Sequence, residues 1–315
     1  MSNKTKSKNS NKIKKRHRNT RKHGGGSEHV NISECKPGLT DLVGNTCFTK
    51  EIVNRIKDFY NSIPGKKITV KKPKTIIEYI KKYTKCNDEQ CWIKSLPIHL
   101  QHNIINYIYR PVYPKEWNNN KNEWLSNFDI LAVIQQYEDT YPHFKFIGPT
   151  FIDFDTKLYN DKCVENDLCK FDISAYENSE KNKIGIIFNL DKHNESGSHW
   201  VSLFIDLEHN FIFYFNSTGE ETPPEIYKLV ERIMNQSEEK ERQMKYEYNP
   251  LEHQLENTEC GMYSLFFIIS MLTDTIGGDA NQPLVTINDK IDFFTKTRIP
   301  DKDMENLRDK YYVKK

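Results

Sequence analysis

No stretch of about 18 or more apolar residues occurs in this 315-residue sequence, so no membrane-spanning helix is expected. No apolar signal-peptide core follows the charged N-terminus either, and a soluble intracellular protein is the expectation. Disulfide scaffolds use an even, closely spaced set of cysteines. Here there are seven: Cys35, Cys47, Cys86, Cys91, Cys163, Cys169 and Cys260. They read as reduced structural thiols. Zinc pairs are usually separated by two to four residues, and Cys163 and Cys169 are too far apart for that pattern, so no metal and no other cofactor is expected. Acidic residues are missing altogether from residues 1–27, which hold ten of the 46 Lys and Arg. The remaining 36 basic residues face 44 acidic ones, so a basic tail precedes a body of net charge −8.

That tail is rich in Ser, Asn and Thr and nearly devoid of apolar side chains, so it cannot bury enough surface to fold. It is read as a disordered basic tail. It is either a solvated terminus or a DNA contact, in which each neutralised phosphate adds a salt-dependent increment. Residues 28–120 read as a mainly helical region. Ile52, Ile56, Phe59 and Ile63 recur at helical spacing, and Ile76, Ile77, Ile80 and Tyr83 do so after Pro73. It is either a packed subdomain or a docking element, and the pattern does not separate the two. The polar run Asn118–Asn122 marks the boundary to a third unit, residues 121–315. There a helix from Glu123 to Tyr141 is expected to bury Trp124, Phe128, Leu131, Ile134 and Tyr137. Strands are expected at Lys145–Ile152, Ile184–Leu190 and Met244–Tyr248, with a helix from Pro223-Pro224 to about Gln236.

The stretch Gln254-Leu-Glu-Asn-Thr-Glu-Cys260-Gly261 runs straight into Met262-Tyr-Ser-Leu-Phe-Phe-Ile-Ile-Ser-Met-Leu272. So dense an apolar run predicts a buried helix with Cys260 at its N-terminus. There the helix dipole and free N–H groups favour a thiolate and a developing oxyanion, and the Gln254 amide is a candidate second donor. By itself the same pattern fits a packed structural thiol. His199 begins a strand-like alternation, Trp200 to Leu207. A turn at Glu208–Asn210 leads to Phe211–Phe215 and then Asn216. An antiparallel hairpin brings His199 and Asn216 together, and the Asn oxygen is expected to accept the Nδ1–H so that Nε2 can take the thiol proton. Asp206 is a rival orienting group. It lies at the far end of the strand, roughly 20 Å away at about 3.3 Å per residue, and is rejected.

The order His199-Trp200, Asn216, Gln254, Cys260-Gly261 resembles the adenovirus-protease and SUMO-protease superfamily of cysteine peptidases. The resemblance is strongest to the polyprotein-processing proteases of large DNA viruses, of the African swine fever virus type. Asn216 departs from the Asp usual in the SUMO-protease branch and agrees with the African swine fever type. Weaker similarity extends through Trp124–Ile130, Lys145–Pro149 and Arg298–Asp301.

The resemblance implies catalytic His199, Asn216 and Cys260, with Gln254 as oxyanion donor and Trp200 narrowing a tunnel for small residues, chiefly glycine. It also implies an α+β fold, a papain-like-topology core with a mixed sheet packed on a central catalytic helix, beside the N-terminal helical region. The substrate is then a viral core or capsid polyprotein cut at Gly-Gly-x sites, or SUMO and ubiquitin conjugates, which also end in Gly-Gly. Action by a monomer in virions and at the assembly site in host cytoplasm follows. A third reading is a nucleic-acid-binding core protein that has lost activity. His23-Gly-Gly-Gly-Ser27 is a flexible linker or a self-processing site, and Gly277-Gly278 is most simply a helix-terminating loop.

Overall fold

A computed structural model describes residues 34–314. The basic tail and its glycine run lie outside the described residues. The chain first builds α1 (Lys50–Ser62), α2 (Pro73–Thr84), α3 (Glu89–Lys94) and α4 (Ile98–Ile108). Thr49 and Asp88 cap α1 and α3 with side-chain acceptors, and Pro73 opens α2 where a missing N–H costs nothing. Ile52, Ile56, Ile76, Ile77, Ile80 and Trp92 close around one another as a core of their own.

Next comes α5 (Asn127–Thr140), started by a capping box between Ser126 and Asp129. The strands β1 (Phe144–Phe151), β2 (Lys183–Asn189), β3 (Trp200–Asp206), β4 (Phe211–Phe215) and β5 (Lys245–Tyr248) form one sheet in that order. The three central strands are antiparallel, and both edge strands join in parallel. Between β1 and β2 lie the short α6 (Asn166–Cys169) and α7 (Ile173–Asn178), and α8 (Pro224–Glu238) leads to β5. Then follow α9 (Cys260–Thr273), the hairpin β6 (Thr275–Ile276) and β7 (Asp279–Pro283), α10 (Ile287–Lys296) and α11 (Asp301–Tyr311).

Strand periodicity decides what packs where. Phe204, Phe211, Phe213 and Phe215 point to one face of the sheet, against α9, α5 and α11. Val201, Leu203, Ile205, Ile212 and Tyr214 point to the other, against Ile226, Leu229 and Ile233 of α8. Because the sheet lies on one side of α9 and helices on the other, every residue from Cys260 to Leu272 is buried. The fold is therefore α+β, a mixed five-stranded sheet with a helix buried against it.

Three expectations change. The α5 stripe is rotated: Ile130, Val133, Ile134 and Tyr137 face the core, while Trp124, Phe128 and Leu131 are exposed, Phe128 by 75 %. A contact with β1 and α9 fixes that rotation, and apolar residues on both sides of the helix left it open in sequence. Six of the seven cysteines are paired, Cys35–Cys47, Cys86–Cys91 and Cys163–Cys169, rather than reduced. Their Cα separations of 5.3, 6.2 and 6.2 Å fall in the bonding range. A spacing too wide for zinc still permits a disulfide, and the loops between the partners close on themselves. Gly277 and Gly278 form the β6–β7 turn, both at positive φ, with Gly277 set so tightly on Phe266 that a Cβ would lie 2.8 Å from the ring.

Candidate active site

Cys260 opens α9 and is the free cysteine among the described residues, 2 % exposed. Burial pushes its thiol above the ordinary range, and the carboxylate of neighbouring Glu259 adds to the rise. The backbone N–H groups of Trp200, Gly261 and Cys260 act the other way by facing the sulfur. The thiol thus lies at the first residue of β3, one position along the chain from His199. No hydrogen bond joins His199 to Cys260 among the described residues.

At the open end of the β3–β4 hairpin, His199 Nε2 is 2.8 Å from Asn216 Oδ1. The same oxygen accepts from Thr218 N at 3.1 Å and Thr218 Oγ1 at 2.9 Å. With that oxygen accepting, His199 carries its proton on Nε2 and leaves Nδ1 as the basic nitrogen. The ring is therefore turned over relative to the sequence expectation. The backbone of the turn that delivers His199 is held in place: Gly197 N and Ser198 N donate to Asp191 and Asn189, and Leu190 N donates to His199 O. Burial depresses the His199 pKa, partly offset by the bond to Asn216 and by Glu220. Burial thus acts on both groups in the same sense, against the charged form of each.

Asn216 is itself held. Its N–H donates to Asn249 Oδ1 at 2.8 Å, and Asn249 Nδ2 returns a bond to Asn216 O at 2.9 Å. Gln254 is oriented by Ser217, whose Oγ donates to Gln254 Oε1 at 2.7 Å, so the amide nitrogen is turned to the opposite side. One of its N–H groups goes to Glu256 O. The next residue, Leu255, donates its N–H to Asp301 at 3.1 Å. Ser217 and Asn249 were not singled out from sequence, and Asp301 entered only as the end of the weakly similar stretch Arg298–Asp301. Their partners lie 33 or more positions away along the chain.

Trp200 Nε1 donates to Leu125 O at 3.0 Å, which ties the β3 start to the segment entering α5. Leu125 also touches α9: a Cβ on Gly261 would lie 3.0 Å from the Leu125 side chain. Asp206, at the other end of β3, is engaged by Glu208 N, His209 N and His209 Nδ1 and does not reach His199. His253, beside Gln254, is a satisfied core histidine, bonded to Phe294 O and by Ile299 N.

Residues 166–315 match the family described as the Ulp1 protease family, C-terminal catalytic domain. A thiol protease of Acanthamoeba polyphaga mimivirus is 28 % identical over 271 residues, 76 % of this chain and 84 % of its own length. A cysteine protease of African swine fever virus (strain Badajoz 1971 Vero-adapted) is 27 % identical over 199 residues. That match spans 58 % of this chain and 66 % of the viral one. A crystal structure of an African swine fever virus protease shares the fold, with a TM-score of 0.61 at 22 % identity over 90 % of this chain and 97 % of that one.

Proposed function

We propose that residues 166–315, which match the Ulp1 protease family, form a cysteine-protease catalytic domain, and that the enzyme is an endopeptidase cutting viral core or capsid polyproteins at Gly-Gly-x sites. The observation that carries the catalytic assignment is the His199–Asn216 pair at the hairpin mouth, next in sequence to Trp200, whose backbone N–H faces the thiol at the start of α9. In this reading His199 Nδ1 takes the Cys260 proton as sulfur attacks the peptide carbonyl carbon. The oxyanion is held by the Cys260 backbone N–H and a Gln254 side-chain N–H. His199 then protonates the departing amine, and a water activated by the same nitrogen releases the acyl group from sulfur. Trp200, fixed to Leu125, narrows the cleft against side chains larger than glycine.

The polyprotein reading is supported by relatives from two large DNA viruses, both named proteases. It places the enzyme, as a monomer, in virions and at the assembly site in host cytoplasm, with residues 1–27 available to DNA. A second reading, removal of SUMO from conjugates, is favoured by the family match and by the name of one African swine fever virus relative, a SUMO-1 cysteine protease. Incubating the full chain with Gly-Gly-x peptides and, separately, with SUMO and ubiquitin conjugates distinguishes them. Cleavage after Gly-Gly in the peptides with the conjugates left intact is expected. Preferential deconjugation would transfer the enzyme to the second class, and inertness toward both would make it a protein that has lost activity.

A further inference from the structure

Arg308 of α11 is nearly fully buried, and its guanidinium is spent on three separate segments around the cleft. Nε and Nη2 grip the two carboxylate oxygens of Glu259 at 2.9 and 3.0 Å. Nη1 donates to Glu123 O at 2.9 Å, and Nη2 also approaches Thr258 O at 3.5 Å. The guanidinium lies 4.3 Å from the centre of the Trp117 ring, which packs on Tyr312. Glu259 is fully buried and immediately precedes Cys260. Glu123 is two residues from Leu125, whose carbonyl holds Trp200 and whose side chain abuts Gly261.

We propose that the Arg308–Glu259 pair is the positioning device of this active site, fixing the Gln254–Cys260 loop, the start of α9 and the Trp200 anchor relative to one another. The inference rests on Cys260 being the nucleophile. A planar fork with five donors suits the task, because one group can satisfy a carboxylate in two places and still reach two carbonyls. A lysine retains the charge but reaches fewer of these acceptors at once. The pair also neutralises a carboxylate adjacent to the thiol. That carboxylate opposes thiolate formation, and its pairing with Arg308 sets a positive charge against it.

The two contributions separate in variants. In Glu259→Gln the negative charge beside sulfur is gone and one bond of the fork is lost. The pH midpoint for alkylation of Cys260 by iodoacetamide should move down, while kcat on a Gly-Gly-x peptide falls about tenfold or more with KM little changed. In Arg308→Lys the kcat loss should recur while the melting temperature stays near that of the unmodified chain. A kcat unchanged in both, or a loss that follows only the unfolded fraction, overturns the proposal. Should either variant fail to fold, the other carries the test, and the double variant Glu259→Gln/Arg308→Met removes both charges together. Alkylation is read without peptide turnover, so an enzyme that cuts no Gly-Gly peptide sinks the substrate assignment and leaves the alkylation shift to judge this one.

Discussion

Asn216 Oδ1 accepts from His199, Thr218 N and Thr218 Oγ1 together, so a neutral amide already fills the place of an orienting carboxylate. Asn216→Asp would put a charge beside the imidazole and favour its protonated form. The His199 pKa, now depressed by burial, should rise, and the acid limb of kcat/KM should move to higher pH. A pH–rate profile of that variant with the limb unmoved would detach Asn216 from the histidine. In the proposed role of oxyanion donor, Gln254→Ala should lose on the order of 10²–10³ in kcat with an unchanged melting curve. His199, Asn216 and Cys260 became candidates because each borders a locally readable element, whereas Gln254 lies in the loop between β5 and α9 and was marked only by its spacing from Cys260. The ring nitrogen that faces Asn216 was not legible, because a ring flip leaves no trace in spacing or periodicity. Ser217 and Asn249 were hidden for a related reason: small polar residues show no periodicity, and their partners are distant in sequence.

Helix α9 was the easiest element to read and α5 the hardest. A run that is apolar on every side can only be buried, whichever way it turns. In α5, apolar residues lie on two faces, and the choice between them is made by the sheet and α9. The helix then links the cleft to the N-terminal region. Its entry carries Leu125 beneath Trp200, while its far end is held by Lys36 on Asp139 at 2.7 Å and by Gln136 donating to Tyr109 O. The close approach of α9 to Leu125 depends on Gly261. Gly261→Ala should displace Leu125, weaken the Trp200 anchor and lower kcat/KM about tenfold, at a stability cost of about 1–3 kcal/mol. Steady-state kinetics paired with thermal unfolding measures both.

At the scale of the whole molecule the N-terminal core behaves as a unit with its own chemistry. Glu89 is buried there, accepting from Cys47 N and Tyr109 Oη, and burial pushes its pKa up to about 7. The folded state therefore holds this proton more tightly than the unfolded chain, whose carboxyl titrates near 4.5. Its contribution to stability is full below the unfolded value and is lost as pH rises toward about 7. Glu89→Gln should flatten the fall in melting temperature across that window, which a pH series of thermal melts would show. The Cys35–Cys47 bond closes a loop of 12 residues in the same region. Chain entropy gives such a loop about 3 kcal/mol, so Cys47→Ser should lower the melting temperature of a chain whose core is otherwise unchanged. Helical periodicity revealed α1 and α2 from sequence. The pairing of the cysteines was not visible there, since it depends on where the folded chain returns.

The most direct test of Cys260 as a nucleophile served by His199 is covalent capture. The full chain would be incubated near neutral pH with a Gly-Gly peptide ending in a thiol-reactive vinyl sulfone, and intact mass and peptide mapping would follow. A single adduct on Cys260 is expected, formed far more slowly in His199→Ala and absent in Cys260→Ala. An adduct on another residue, no adduct at all, or a rate indifferent to the loss of His199 would contradict the assignment.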